Sequence, residues 1–326
     1  MTGPVPDRIV DIAIGYMGAK QLFAASRVGL FTALADGPRT VAEIASTTGV
    51  SEKITRILAD AMNAKGLLDR EDGRYSLAPD AAEFLGGAGG GVDLAPFLGF
   101  LNEISYGHWL QFDKTVDTTT PGDLQMDDAR WGTFMAGVMQ YNALHASQLA
   151  RGFDFTPYKS MLDLGGLSPD FAIGALKANP DLTVKFVFTD MSTQGITDAL
   201  AANGYTDRAT IEPEPTETAA PGGDHDIVMV NHVIHRFTAE QNQAILANAR
   251  AAAADGATLL LLDFFLDDDE RQRPIDALHA GEYFVIDGTV VYPESEVRSW
   301  LDATGWRARE VLSLPGSPRV LVADAV

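Results

Sequence analysis

Chemistry in this chain concentrates at four short runs. The first is NHVIHRF, residues 231–237, which carries two of the six histidines, His232 and His235, directly after an apolar stretch. A neutral imidazole at a strand end can take a proton from a phenol or an acidic carbon, which makes His235 the candidate catalytic base. Packing into a core is the other use open to either histidine. Their i,i+3 spacing also suits a pair of metal ligands. No neighbouring carboxylate pattern completes such a set, so no metal is expected. Asp263 closes the next apolar stretch and offers a further polar group at the same level. In FTDMS, Asp190 stands where an acid commonly accepts hydrogen bonds from a ribose diol, or else caps a helix. The last run is LDLGG, with Asp163, Gly165 and Gly166. Its two glycines let the backbone turn tightly and approach a ligand, although a purely structural turn would use them equally well. Neither a G-x-G-x-x-G fingerprint nor a Gly-Lys-Ser/Thr phosphate loop is present. The chain has no cysteine, which removes thiolate nucleophiles, disulfides and Cys-ligated metals together.

These runs must be held by the elements around them. Apolar strands are expected at 160–164, 184–189, 227–231 and 258–264, with helices between them at 169–178, 194–203 and 239–253. Near-continuous apolar strands alternating with helices signal a parallel sheet covered on both faces, and ligands of such sheets bind beyond the carboxyl ends of the strands. A helix at 295–303 and an antiparallel pair, 311–314 with 319–323, close the chain. The fold class is therefore α/β, a doubly wound and mostly parallel sheet.

Ahead of it, Ile9, Ile12, Ala13, Tyr16, Met17, Leu22 and Phe23 recur at helical spacing. A capping box from Thr40 to Glu43 opens a second helix, 51–65 gives a third, and EDGRYSL at 71–77 gives a hairpin. Helix, turn, helix and hairpin make a winged helix. The segment between is helical and rich in Met and aromatic residues. Most of these belong to core, while Trp109, Phe134, Met135 and Met139 are candidates for lining an apolar substrate pocket together with His232, Asp263 and Tyr283. The division expected is 1–92, 93–157 and 158–326. Loops are expected at 86–91, 117–123 and 212–223, where Gly and Pro cluster.

With 24 Lys and Arg against 45 Asp and Glu, net charge is -21. Such a field repels phosphate backbones, so a nucleic-acid partner is not expected. No apolar run reaches the roughly 20 residues that cross a bilayer, so no membrane partner is expected either. The first residues lack the pattern of a secretory signal, and the expected location is the cytoplasm.

Winged helix, helical linker and doubly wound domain, carrying DLGG, an acid after the second strand and N-x-x-x-H-x-F, resemble the S-adenosylmethionine-dependent small-molecule O-methyltransferases. The branch it is most similar to includes bacterial natural-product and pigment enzymes. The resemblance implies that Asp163, Gly165, Gly166, Asp190 and Asn231 contact S-adenosylmethionine, that His235 is the base, and that the chain is a homodimer acting on a small molecule. The family pattern departs here at Leu167 and Pro169, which stand where glycines are usual. It departs again at 211–217, which lacks the adenine-framing Gly-Asp-x-Phe. Arg236 and Phe237 replace the Asp-Trp that often follows the base, and Val291 falls near the position of an orienting Glu. Overpacking and a lost hydrogen bond together would weaken cofactor binding by about 2–6 kcal/mol. Methyl transfer is thus the leading expectation. A methyltransferase fold repurposed for cofactor-free cyclisation or other acid–base chemistry is the alternative, and a winged-helix DNA-binding regulator is the remote one.

Overall fold

The computed structural model describes residues 4–87 and 91–326, so half of the Gly-rich loop expected at 86–91, residues 88–90, lies outside the described residues. The chain divides into two units, one formed by residues up to Leu110 with Leu124–Tyr141 and the other by Gln111–Asp123 with Asn142–Val326.

In the first unit, α1 (Asp7–Arg27) bears out the helical spacing of the N-terminal apolar residues. A short strand β1 (Arg39–Thr40) leads into α2 (Val41–Thr48), whose Thr40–Glu43 capping box forms as expected. Next come α3 (Glu52–Ala64) and the hairpin β2 (Leu68–Glu71) and β3 (Arg74–Leu77). β1 pairs antiparallel with β3, giving the wing a third strand. Ala25, Leu30, Phe31, Ile44, Leu58, Met62 and Tyr75 form the core of this winged helix. α4 (Pro79–Phe84), α5 (Ala95–Phe100) and α6 (Tyr106–Trp109) follow, with a π-helical turn at Leu101–Ser105.

The second unit takes in α7 (Phe112–Thr118) and the C-terminal part of α8 (Asp128–Gly152). Then strands and helices alternate: β4 (Ser160–Leu164), α9 (Asp170–Ala178), β5 (Thr183–Phe188), α10 (Thr193–Asn203), β6 (Ala209–Pro213), β7 (His225–Asn231), α11 (Ala239–Ala251) and β8 (Ala253–Asp263). α12 (Pro274–Asp287), α13 (Glu294–Ala303), β9 (Trp306–Ser313) and β10 (Arg319–Ala325) complete it. The seven strands lie in the order β6-β5-β4-β7-β8-β10-β9, parallel except for β10, which pairs antiparallel with both β8 and β9.

Side chains alternate across a strand, so each central strand feeds two cores. Leu162, Leu164, Val228, Val230, Leu259 and Leu261 pack on one face. Met161, Ile227, Met229, Leu260 and Leu262 pack on the other. All are 0 % exposed, which is why these strands read as unbroken apolar runs rather than as alternation.

Two elements were not expected from sequence. β6 runs through the start of the presumed loop at 212–223; it is a half-exposed edge strand ending on Pro213, a residue that only an edge or a strand end tolerates. α12 is opened by Pro274 in its first turn, where a missing N–H costs no intrahelical bond. The loop expected at 117–123 also begins inside α7.

Candidate active site

Register fixes which groups can meet. In the parallel pairs Leu164 lies opposite Val187, Asp163 opposite Met229 and Asn231 opposite Leu262. The carboxyl ends of β4, β5, β7 and β8 therefore share one edge, and Gly165, Gly166, Asp190, Asn231, His235 and Asp263 all stand along it.

After β7 the chain turns at once. His232 adopts φ 53°, a conformation side chains rarely take, and its N–H donates to the Leu262 carbonyl at 2.8 Å. A 3-10 turn, Ile234–Arg236, then presents His235. Buried Asn242 of α11 ties this turn down, its amide donating to the carbonyls of Ile234 at 2.9 Å and Phe237 at 3.2 Å. The Tyr292 hydroxyl donates to Phe237 O at 2.8 Å from the other side. His235 is thus mounted on a braced turn.

His235 Nδ1 lies 3.0 Å from Oδ2 and 3.1 Å from Oδ1 of Asp263. Asp263 is fully buried and also accepts the Phe264 N–H at 2.9 Å. Burial alone would raise its carboxyl, but the adjacent His235, with His232 and the Phe264 N–H, holds it below the ordinary 3.8. An ionised carboxylate only accepts, so Nδ1 must carry a proton, and in the neutral imidazole the lone pair then falls on Nε2. That is the tautomer a general base needs. The His235 ring also lies 4.4 Å from the Tyr283 ring, centroid to centroid.

His232 is placed differently. It is buried, and its Nε2 lies 2.9 Å from Nδ1 of buried His145 on α8. Loss of hydration pushes His232 down to about 3 and His145 well below 6.5, so both are neutral at ordinary pH. His279, stacked on Phe264 at 3.8 Å, is likewise lowered to about 4 by burial. No spacing in the sequence links His145 or His279 to this region; only the fold brings them here.

Asp263 also supplies the carboxylate that the sequence around the histidine pair lacked. Ligand-type atoms of His232, His235 and Asp263 lie within 4.8 Å of one another, the one such group among the described residues. Within this group His235 Nδ1 is engaged with Asp263, and His232 Nε2 is engaged with His145.

At the first strand end, Gly165 (φ 75°) and Gly166 (φ 89°) both need the left-handed backbone that glycine adopts freely. A Cβ on Gly165 would come within 2.5 Å of Thr216 Cγ2, and one on Gly166 within 3.0 Å of the Asn231 carbonyl. Asn231 is 3 % exposed, and among the described residues neither its Oδ1 nor its Nδ2 meets a partner. Asp163 is buried, its Oδ2 is equally unpartnered, and burial raises its pKa well above 3.8. Asp190 opens an exposed turn after β5. Leu167 is half-buried, whereas Pro169 stands just ahead of α9. An N–H there would have no partner inside the helix, so its loss is tolerated. Ser168 Oγ accepts the Asp170 N–H at 3.2 Å. In the other unit, Phe134 packs edge-on to Phe100 and Trp131 at 5.4 Å each, Trp109 and Met139 are half-buried, and Met135 is exposed.

Residues 105–307 match the O-methyltransferase domain, and residues 10–87 match the O-methyltransferase dimerisation domain. The chain belongs to the O-methyltransferase family. It is an enzyme of the methyltransferase type, as the sequence led us to expect. It is 28% identical over 289 residues to the 3-hydroxy-5-methyl-1-naphthoate 3-O-methyltransferase of Streptomyces sahachiroi, covering 83% of this chain and 81% of the relative. It is 27% identical over 328 residues to the O-demethylpuromycin-O-methyltransferase of Streptomyces alboniger, covering 95% and 86%. Among solved structures, the pyocyanin biosynthetic protein PhzM superposes with a TM-score of 0.87 at 19% identity, covering 98% of each chain. No described helix is long and apolar enough to cross a membrane.

Proposed function

We propose that this enzyme transfers the methyl group of S-adenosylmethionine to a hydroxyl oxygen, or an activated carbon, of a small natural-product acceptor, with His235 as the base. The hydrogen bond from His235 Nδ1 to the buried Asp263 carboxylate carries the reading, because it leaves Nε2 free to accept a proton. The Tyr283 ring packs beside the imidazole, tilted by 33°.

Fit to the cofactor is supported by the strand edge. The buried, unpartnered amide of Asn231 and the Asp163 carboxyl are groups that a ligand with both donors and acceptors would satisfy. Gly165 and Gly166 keep the backbone bare beside them, and the exposed Asp190 carboxylate suits a ribose diol. When bound, the sulfonium supplies an electrophilic methyl group. His235 Nε2 takes the acceptor's hydroxyl proton, and Asp263 stabilises the imidazolium that results. Because the methyl group is already activated, rate comes chiefly from holding acceptor oxygen and carbon in line at near-attack distance. The relatives named above methylate small natural-product molecules, which supports an acceptor of that class. We further propose a metal-independent reaction, and a location in the cytoplasm, which a chain without cysteine suits.

Homodimerisation belongs to the same reading. Ile9, Ile12, Tyr16 and Met17 of α1 are 75%, 83%, 54% and 46% exposed, more apolar surface than a solvated helix carries without a partner. Light scattering is expected to give twice 34.9 kDa, and a monomer would contradict it. The function itself is tested by incubating the protein with S-adenosylmethionine and a panel of hydroxyarenes. Methylated product by mass spectrometry supports it; no product, with no calorimetric binding of the cofactor, overturns it.

A further inference from the structure

Arg236 follows the proposed base directly, and among the described residues it forms no salt bridge. Nε and Nη2 of its guanidinium are both buried, and among the described residues neither meets a hydrogen-bond partner. Asp263 and Glu217 act on it electrostatically, as does Tyr283, but neither carboxylate forms an ion pair with it among the described residues. The Phe237 ring lies 5.4 Å from Cζ and covers one side. Burial pushes the guanidinium below its ordinary value, and Asp263, Glu217 and Tyr283 act in the opposite sense.

Buried cations are normally paired, because desolvation without compensation is costly. The two unpartnered nitrogens are also a particular pair. Nε–H and the adjacent Nη2–H lie on one edge of the planar guanidinium and point the same way. Two parallel donors are what the two oxygens of a carboxylate accept, the bidentate geometry that distinguishes arginine from lysine.

We propose that Arg236 seats a carboxylate carried by the acceptor, so that the substrate class is aromatic hydroxy acids rather than neutral phenols. This rests on the reading of His235 as the base for a hydroxyl. Adjacency explains the arrangement: a ring held by its carboxylate at Arg236 turns a hydroxyl toward the imidazole one residue away, and the fixed distance between the two groups selects which hydroxyl is presented. The carboxylate makes no covalent change. It pairs with two guanidinium nitrogens that are buried and unpartnered among the described residues.

The test compares 3-hydroxy-1-naphthoate with 2-naphthol, which share a ring and a hydroxyl but differ in the carboxylate. Titration calorimetry is run with S-adenosylhomocysteine present and absent, on the wild-type protein and on Arg236→Gln and Arg236→Lys. The wild-type protein is expected to prefer the naphthoate by about tenfold or more, as a charge-assisted hydrogen-bond pair gives. Arg236→Gln brings the ratio to near one, and Arg236→Lys, which keeps charge without the fork, leaves it between. No preference in the wild-type protein, including binding of neither compound, overturns the proposal whether or not the variants fold. So does a preference unchanged in Arg236→Gln. If that variant instead loses affinity for S-adenosylhomocysteine while the acceptor ratio stands, the carboxylate is the cofactor's amino-acid end and the proposal is wrong. Binding is read without turnover. A carboxylate preference that depends on Arg236, in a protein that methylates neither compound, would therefore overturn the methyl-transfer reading and leave this one standing.

Discussion

His235 and Asp263 lie 28 residues apart in sequence, yet Nδ1 of the first is 3.0 Å from Oδ2 of the second, because β7 and β8 end side by side in one parallel sheet. The side chain of Asp263 is 1% exposed and that of His235 is 13% exposed. The carboxylate is sealed in, and the imidazole is the more exposed of the two.

Asp263→Asn should therefore damage turnover more than binding. An amide no longer compels Nδ1 to carry the proton, nor does it stabilise an imidazolium. A charge-assisted hydrogen bond contributes about 1.5–3 kcal/mol, so kcat should fall by about 10- to 150-fold. KM for the acceptor should change little. A fall in KM-dependent terms alone would argue that Asp263 only shapes the fold.

Gly165→Ala confronts both a positive φ and Thr216. Strain of this kind costs about 1–3 kcal/mol, which urea unfolding will read as a lower midpoint at unchanged slope. Affinity for S-adenosylhomocysteine should fall as well, since the turn and the proposed cofactor edge are the same backbone. Loss of stability with affinity intact would place the cofactor elsewhere.

At Leu167 the expected change is a gain. If this side chain crowds the cofactor, Leu167→Gly relieves an overpacking of about 1–3 kcal/mol and tightens S-adenosylhomocysteine binding by about tenfold or more in calorimetry. Unchanged or weaker binding would show that the half-buried leucine packs away from the ligand.

Acid should destabilise the protein through its buried histidines. Burial lowers His279 to about 4 and His232 to about 3, below the 6.5 of an unfolded chain, and lowers His145 too. As pH falls below 6.5 the unfolded state takes up protons that the folded state refuses, so stability declines toward pH 4. Asp163 acts in the opposite sense. Its raised carboxyl keeps a proton above 3.8 only in the folded state, and the stability this gives is lost as pH rises. His279→Gln removes one histidine's share, flattening the stability profile between pH 6 and 4.5 by up to about 1.4 kcal/mol per unit. An identical slope in both proteins would show that His279 is protonated when folded.

Much of this was legible beforehand. The central strands are buried on both faces, so their apolar runs mark them plainly, and the Thr40–Glu43 box marks a helix start by chemistry alone. His235 and Asp263 stood out as polar groups closing apolar runs. Their hydrogen bond did not, because strand order, unlike strand position, leaves no trace in local sequence. β6 escaped for a related reason: an edge strand is half exposed and carries mixed residues, so neither periodicity nor apolarity betrays it. His145 was hidden by distance, 87 residues from the His232 it bonds. Arg236 was visible only as a departure from a pattern. The burial of its Nε and Nη2 emerges only from packing.

The most direct test of the account is the methylation rate of His235→Ala against wild type, on hydroxyarene acids whose hydroxyls differ in acidity. Removing a general base should lower kcat by about 10²–10⁴ for a weakly acidic hydroxyl, and the deficit should shrink as the hydroxyl ionises on its own. A variant that methylates every acceptor at the wild-type rate, or one whose deficit ignores acceptor acidity, would contradict the role of His235.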